Sequence, residues 1–490
     1  MRRNSLCAAG ACFLFLFAGS ALAPLVGLEN DEALFAGGIY PPRFDYALHV
    51  GPYRVPLMLM SYVGALKSWL YAPLLSLFGP GLRTLREPML LAGALAIWFF
   101  FLLLRRTAGE RAALIGCILL ATDSMYLVTT CFDWGPVALQ HLLITGGMLL
   151  VVKFYQERGW GALSGGFFLF GLALWDKAIA VWMLTGLAAA AIVFYRREVR
   201  QVLTARRAAL ACAAFLAGAL PLLVYNAQTG AATFRQNAHR DTANLGAKAH
   251  MLVETIGGPG LFGWLTAEDS QTPSPHRPHG LLQQASAGLS HLAGHPRHGL
   301  LMYGFLLALA LLFRAPPRER RMALFALLAM AVAWLQMALT QNAGTSVHHT
   351  ILLWPLPEFV MALSFAALPK RIAMAATGAI ALSGLLLLNE YSVVMLRNGG
   401  AQSWNDGVLV LSDYLKTLPP QKVCALDWAI LDPLRFLNAG QLDLVSGPAP
   451  GCLSVAHTKA FEFFPLKSPP EGRQLLIVDH FGRSVFVVTR

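Results

Sequence analysis

Eleven apolar stretches, separated by short polar connections, limit this chain to few folds. The first runs from Leu6 to Leu28. The others fall at about 88–104, 112–128, 137–154, 161–175, 178–195, 208–225, 300–313, 322–340, 350–368 and 372–395. A helix needs about 20 mostly apolar residues to cross the hydrocarbon core, so the expected fold is a polytopic α-helical membrane protein with about 11 spans. Composition agrees: 56% of the residues are hydrophobic, only 13% are charged, and mean hydropathy is +0.55. A soluble chain of this length is not that apolar.

The net charge of +12 would ordinarily raise the question of nucleic acid. Here the cations sit in short clusters between apolar runs and form no basic face, so no nucleic-acid partner is expected. Arg105-Arg106 with Arg111, Lys153 with Arg158, Arg196 to Arg207, Arg314 to Arg321 and Lys370-Arg371 alternate so that all fall on the side of Arg2 and Arg3. The positive-inside rule makes that side cytoplasmic. Arg2, Arg3, the apolar run and Ala21-Leu22-Ala23 also fit a cleavable signal peptide. The run continues past Ala23, which favours an uncleaved first helix.

The segment from Arg54 to Phe78 is apolar but contains Lys67 and Pro73, which suit a regular span poorly. It is expected to lie as interfacial helices on the outer face. The transmembrane unit then occupies residues 1–396, with a first external loop at 29–87 and a long one at 226–299. Residues 397–490, with Pro419-Pro420 and Pro469-Pro470 as punctuation, read as a small extracytoplasmic α/β domain. Cys424 and Cys452 both fall in it, and an oxidising compartment would permit them to pair. The cysteines near the spans read as small buried hydrophobes.

Ionisable groups on the outer side carry the chemistry. Asp31 and Glu32 follow the first span, Asp133 stands in Phe132-Asp133-Trp134-Gly135-Pro136 ahead of another, Lys177 follows Asp176, and His348-His349 precede a later span. Each has a plain structural alternative: a solvated loop end, a helix cap for Asp133, a snorkelling lysine paired with Asp176, and interfacial histidines.

The ordered series Asp31-Glu32-Ala33-Leu34-Phe35-Ala36, Arg54-Val55-Pro56-Leu57, Leu85-Arg86-Glu87-Pro88 and Phe132-Asp133 resembles the GT-C superfamily of polyprenyl-phosphate-sugar glycosyltransferases. The likeness is to the protein O-mannosyltransferases and the aminoarabinose transferases of lipid A. Useful motifs cover about residues 1 to 200. Val55 stands where the family shows its first proline in Lys-Pro-Pro-Leu, and Asp176 and Ala178 flank the lysine usually set in Thr-Lys-Gly.

The resemblance implies a polyprenyl-phosphate-linked sugar donor, a protein or glycolipid acceptor and a site in contact with membrane lipid. Asp31 is then the general base, with Glu32 and Asp133 as the other catalytic acids. Arg54, Lys67, Arg83, Arg86, Lys177, His348 and His349 are the candidate donors to the phosphate, whose charge grows as it leaves. Nothing demands a cofactor; carboxylates and phosphate could hold Mg2+ or Mn2+, but no metal-ligand spacing occurs. The expected place is a bacterial inner membrane, with the N-terminus cytoplasmic and the site and C-terminal domain periplasmic. A lipid or sugar transporter is the competing reading, but the acids gather at helix ends and no halves match. A non-catalytic assembly subunit is opposed only by the acidic motif.

Overall fold

The computed structural model describes residues 2–40, 45–464 and 473–489, with the side chains of Arg2 and Arg3 outside that description. The orienting charges of Arg2 and Arg3 and the Pro469-Pro470 punctuation therefore lie outside the described residues.

The chain opens with α1 (Arg2–Leu22), a short α2 (Asn30–Gly37), strands β1 (Tyr46–Val50), β2 (Tyr53–Met60) and β3 (Val63–Gly64), and α3 (Leu66–Phe78). Then follow α4 (Leu82–Thr107), α5 (Glu110–Ala121), α6 (Ser124–Cys131), α7 (Val137–Glu157), α8 (Trp160–Asp176), α9 (Ala180–Val202) and α10 (Ala205–Gln228). The long connection contains α11 (Ala232–Asn237), α12 (Leu245–Gly257) and α13 (Gly280–Leu292). After it come α14 (Leu301–Leu311), α15 (Pro317–Ala338), α16 (Val347–Thr350), α17 (Leu356–Ala366) and α18 (Lys370–Asn398).

Every apolar stretch of the sequence is helical, but the expected number of spans is not reached by length. Among the described residues seven helices are long and apolar enough to cross: α1, α4, α7, α9, α10, α15 and α18. Two more arise if bent pairs count as one span, α5 with α6 at 57° and the Val347–Leu353 segment with α17 at 40°. The other two expected spans are shorter: α8 has 17 residues and α14 has 11. The protein is an integral membrane protein.

The helices pack by small residues, as expected where lipid removes the hydrophobic drive between them. A Cβ on Gly171 of α8 would lie 2.1 Å from Phe215 O of α10, and one on Gly218 of α10 would lie 2.4 Å from Phe168 O of α8. The two backbones touch there because neither position carries a side chain. α9 packs on α15, and α4 sits between α1, α5 and α7.

The basic clusters gather at one end of the bundle. Asn4 Nδ2 donates to Glu110 at 3.4 Å, Arg106 pairs with Glu157 at 2.8 Å, Arg111 donates to Leu368 O at 2.6 Å, and Arg321 pairs with Glu198 at 2.7 Å. The opposite end carries α2, the β1–β3 sheet, α3, α11–α13 and the C-terminal sheet.

The expected interfacial helices at Arg54 to Phe78 are only half present. Arg54 to Met60 belongs to β2, the middle strand of a β1-β2-β3 antiparallel sheet, and only α3 is helical, with Pro73 inside it. The mixed sequence hides this strand because Pro56 cannot donate to a ladder. Its carbonyl is used by Trp69 Nε1 at 2.8 Å instead, and β2 shifts register near its end.

Beyond α18, α19 (Gly407–Lys416) and α20 (Leu431–Leu437) accompany strands β4 (Lys422–Ala425), β5 (Asp443–Ser446), β6 (Leu453–His457), β7 (Gln474–Val478) and β8 (Ser484–Thr489). The sheet order is β5-β4-β6-β8-β7, parallel across the first three and antiparallel thereafter. Cys424 and Cys452 are joined, with Cα atoms 5.8 Å apart. This unit rests on the helix that carries Asp31, through α20 against α2 and Gly27 N donating to Trp404 O at 2.7 Å.

Candidate active site

Glu29 starts the site by capping α2. Its side chain accepts from Asp31 N at 2.6 Å and Glu32 N at 3.2 Å, so Asp31 and Glu32 stand in the first turn, where the helix dipole favours negative charge. Glu29 is buried, and burial first, then the charges of Asp31 and Glu32, raise its pKa well above the usual carboxylate range. Asp31 is partly exposed and accepts from Asn30 Nδ2 at 3.0 Å.

Glu32 points elsewhere. It takes a two-pronged bond from Arg86, Nε to Oε1 at 3.0 Å and Nη2 to Oε2 at 2.8 Å. The guanidinium also donates to Ala23 O, Val26 O and Gly27 O at 2.6, 3.0 and 2.5 Å and lies 4.6 Å from the Phe132 ring centre. Side-chain exposure is 0% for Arg86 and 1% for Glu32. This pair ties the α1–α2 loop to α4 and leaves neither group open to a substrate or a phosphate, contrary to the expectation for both.

Lys67 and Asp133 are also paired and buried. Lys67 Nζ donates to Asp133 Oδ2 at 2.8 Å and Asp133 O at 3.0 Å, while Asp133 Oδ1 accepts from Ala138 N at 3.1 Å. Asp133 thus does serve the start of α7, as its plain alternative held, and it also neutralises a lysine.

Lys177 is placed by strand β3. Val63 bridges to Lys177, Ala178 N donates to Tyr62 O at 2.9 Å, and a Cβ on Gly64 would lie 2.1 Å from Trp175 O, so that turn must be glycine. Lys177 Nζ donates to Gly135 O at 2.9 Å. It does not take Asp176 as its hydrogen-bond partner: Asp176 Oδ2 accepts from Gln140 at 2.8 Å. Burial pushes the Lys177 ammonium down to about 8, against the opposing pull of Asp31, Asp133 and Asp176. Asp31's charge also reaches Tyr62, whose phenol is pushed up to about 12, chiefly by burial.

His348 closes the cluster. Trp134 Nε1 donates to His348 Nδ1 at 2.9 Å, and Ser346 Oγ lies 2.7 Å from the same nitrogen. An indole N–H can only donate, so neutral His348 carries its proton on Nε2. His349 lies beside it, ring centres 4.1 Å apart and ring planes tilted by 47°.

Arg83 and Arg54 lie at the surface. Arg83 is 65% exposed and paired with Glu87 one turn away at 3.2 Å; Arg54 is exposed on β2. Among the described residues no group of three or more His, Cys, Asp or Glu side chains could hold a metal. Sequence reasoning missed Glu29, Tyr62, Trp134 and Gln140. Only Glu29, two residues ahead of Asp31 at a helix start, had a readable signal, that of an N-cap.

Residues 64–225 match the family model described as dolichyl-phosphate-mannose-protein mannosyltransferase. The crystal structure of ArnT from Cupriavidus metallidurans bound to undecaprenyl phosphate superposes with TM-score 0.60 over 99% of this chain and 97% of that one, at 14% identity. The apo ArnT structure gives the same values. The chain has the fold of ArnT. The archaeal oligosaccharyltransferase AglB from Archaeoglobus fulgidus, in complex with an inhibitory peptide and a dolichol-phosphate, aligns over 91% of this chain and 69% of its own, with TM-score 0.47 and 12% identity. No curated protein sequence matches the chain.

The family-model match begins at Gly64 and ends at Tyr225, so it includes Lys67, Asp133 and Lys177 and leaves out Asp31 and the histidine pair. Chemically, the arrangement offers a partly exposed carboxylate, a buried ammonium within its field, and an imidazole N–H donor.

Proposed function

We propose that this GT-C protein is a glycosyltransferase that moves a sugar from a polyprenyl-phosphate carrier to an acceptor at the membrane face opposite the basic loops. The reading rests above all on Asp31 and Lys177, whose charges lie within reach of one another at that face. Asp31 accepts the proton of the acceptor nucleophile as it attacks the anomeric carbon. The bond from that carbon to the phosphate oxygen breaks, and the phosphate leaves with its extra negative charge. Lys177 and the Nε2–H of His348 receive that charge. Lys67 and Asp133 set the frame, since Lys67 fixes the Asp133 carbonyl and Lys177 fixes that of Gly135, two residues later.

The residues fit a catalytic metal poorly. Asp133 is neutralised by Lys67, Glu32 by Arg86, and no step here is routed through a divalent ion. ArnT is described with undecaprenyl phosphate and AglB with dolichol-phosphate and a peptide, which supports a lipid-linked donor. The acceptor is a protein or a glycolipid. Gathering of the basic ends on one side supports a cytoplasmic N-terminus, with the site and the domain at 397–490 outside, and a bacterial inner membrane is the compartment proposed. The test is transfer of radiolabel from a polyprenyl-phosphate sugar by the purified chain. Wild type should transfer and Asp31→Asn should not, with both equally folded; full activity in Asp31→Asn would sink the assignment.

A further inference from the structure

The segment between Thr272 and Leu300 takes no part in this chemistry. Its helix α13 lies along the far half of α18: Asn389 Nδ2 donates to Ser286 O at 3.0 Å, Ser286 Oγ to Asn389 Oδ1 at 2.7 Å, and Ser290 Oγ to Glu390. Asn389 comes 19 residues after Lys370, where α18 begins at the basic end. At 1.5 Å per residue that is about 29 Å, and the hydrocarbon core is about 30 Å thick. α13 is therefore level with the opposite membrane surface, on the Asp31 side. The chain then enters α14, whose Tyr303 and Leu306 face outward.

The face of α13 turned away from α18 is apolar and bare. Leu281, Leu282 and Leu292 are 85%, 86% and 85% exposed, and Leu289 is half-exposed. Leu281, Leu289 and Leu292 share one helical stripe. Leucines this exposed are unusual in water and ordinary among acyl chains. Between Gln271 and Gly299 the chain has no Asp or Glu, but has two arginines and five histidines, the histidines all exposed. The acids nearest in space are already used: Glu268 pairs with Arg297, Asp269 with Arg397, and Glu390 is buried against Ser290 and His295.

We propose that α13 and its flanks are an in-plane docking element for anionic phospholipid on the Asp31 face of the membrane. The leucines seat among acyl chains, while Arg277, His279, His291 and His298 meet the headgroup phosphates. The inference rests on the membrane fold and not on glycosyl transfer.

The test uses the full chain in lipid nanodiscs with a nitroxide at Leu282→Cys. Cys7, Cys12, Cys117, Cys131 and Cys212 are replaced by alanine, and the Cys424–Cys452 bond is kept. Collision with oxygen should exceed collision with a water-soluble nickel chelate. Spin-labelled phosphatidylglycerol should gather near the label relative to phosphatidylcholine. Arg277→Gln should cut that preference about fivefold, the effect of one cation near an anionic surface, without altering the elution volume. Free access of nickel would overturn the proposal, because the leucines would then face water. Exclusion of both probes with dipolar broadening would overturn it in favour of a second copy of the chain. Lipid depth with no preference for phosphatidylglycerol, or one untouched by Arg277→Gln, would overturn the anionic part.

Discussion

Glu32 and Arg86 form a buried ion pair, with side-chain exposures of 1% and 0%. Removing one partner of such a pair strands the other as an uncompensated charge, at a cost of about 3 to 5 kcal/mol. The geometry puts Glu32→Gln and Arg86→Gln near the upper part of that range. Arg86 holds five oxygens, three of them carbonyls of the α1–α2 loop, so its loss also leaves those acceptors bare. At about 1.4 kcal/mol per tenfold, the folded-to-unfolded ratio should fall by roughly two to three and a half decades. Replacing both with Gln should cost clearly less than the sum of the single changes, because neither then strands a charge.

The assay is the fraction of monodisperse protein surviving a heating series in detergent, run alongside the affinity for radiolabelled polyprenyl phosphate. Both single variants should lose thermal resistance together, and lipid affinity per folded molecule should change little. If Arg86→Gln keeps the wild-type heating profile while lipid affinity drops tenfold, Arg86 is a phosphate donor and the structural account of the pair is wrong.

Asp31→Asn should lower transfer by about 10² to 10⁴, the range for loss of a positioned general base, at unchanged thermal resistance and donor affinity; a loss of donor affinity instead would move Asp31 from proton transfer to binding. Lys177→Met should cost about 10² to 10³ in turnover. Because burial depresses Lys177 to about 8, its charge is present below that pH and lost above it. Transfer by wild type should therefore fall as pH rises through about 8, and a flat profile from 7 to 9 would count against Lys177. Reducing the Cys424–Cys452 bond, whose partners are 28 residues apart, should lower stability of the C-terminal unit by about 3 to 4 kcal/mol. Proteolysis with and without reductant would read this, and equal cleavage rates would refute it.

Much of the fold was legible because the bilayer imposes a length and an exclusion of charge, and both leave marks in a linear chain. The breaks were not. α5 turns into α6 at Thr122-Asp123, where Asp123 caps Met125 and Tyr126 with one oxygen and accepts from Trp354 with the other. The apolar run is interrupted there only by Thr122-Asp123-Ser124, too short a mark to say that the helix axis turns by 57°. Strand β2 was misread because Tyr53 to Met60 is followed by apolar α3 with only Ser61 and Gly64 to mark the turn and β3 between them. Pairing leaves a mark in sequence only where it is local, as for Arg83 and Glu87 at i,i+4, and even there Arg83 was read as a phosphate donor. Lys67 finds Asp133 across 66 residues and Arg86 finds Glu32 across 54; nothing in charge spacing says which acid each cation takes.

The first acidic motif shows what that pairing accomplishes. Three carboxylates within four residues would repel one another if all were charged and facing one space. The fold gives each a separate environment. Burial keeps Glu29 toward its protonated form while its oxygen caps the helix, and Glu32 is neutralised by a guanidinium that holds the preceding loop. Asp31 alone is left partly exposed, on a helix turn whose N–H groups are fixed by Glu29, with the Lys177 ammonium within its field. A motif that reads as two candidate catalysts, Asp31 and Glu32, is thus one candidate base with Glu29 and Glu32 as its supports. The same division recurs among the cations, where Arg86 and Lys67 spend their charge on buried acids. Lys177 is hydrogen-bonded to the Gly135 carbonyl, which leaves it the candidate cation for the leaving phosphate of the proposed transfer.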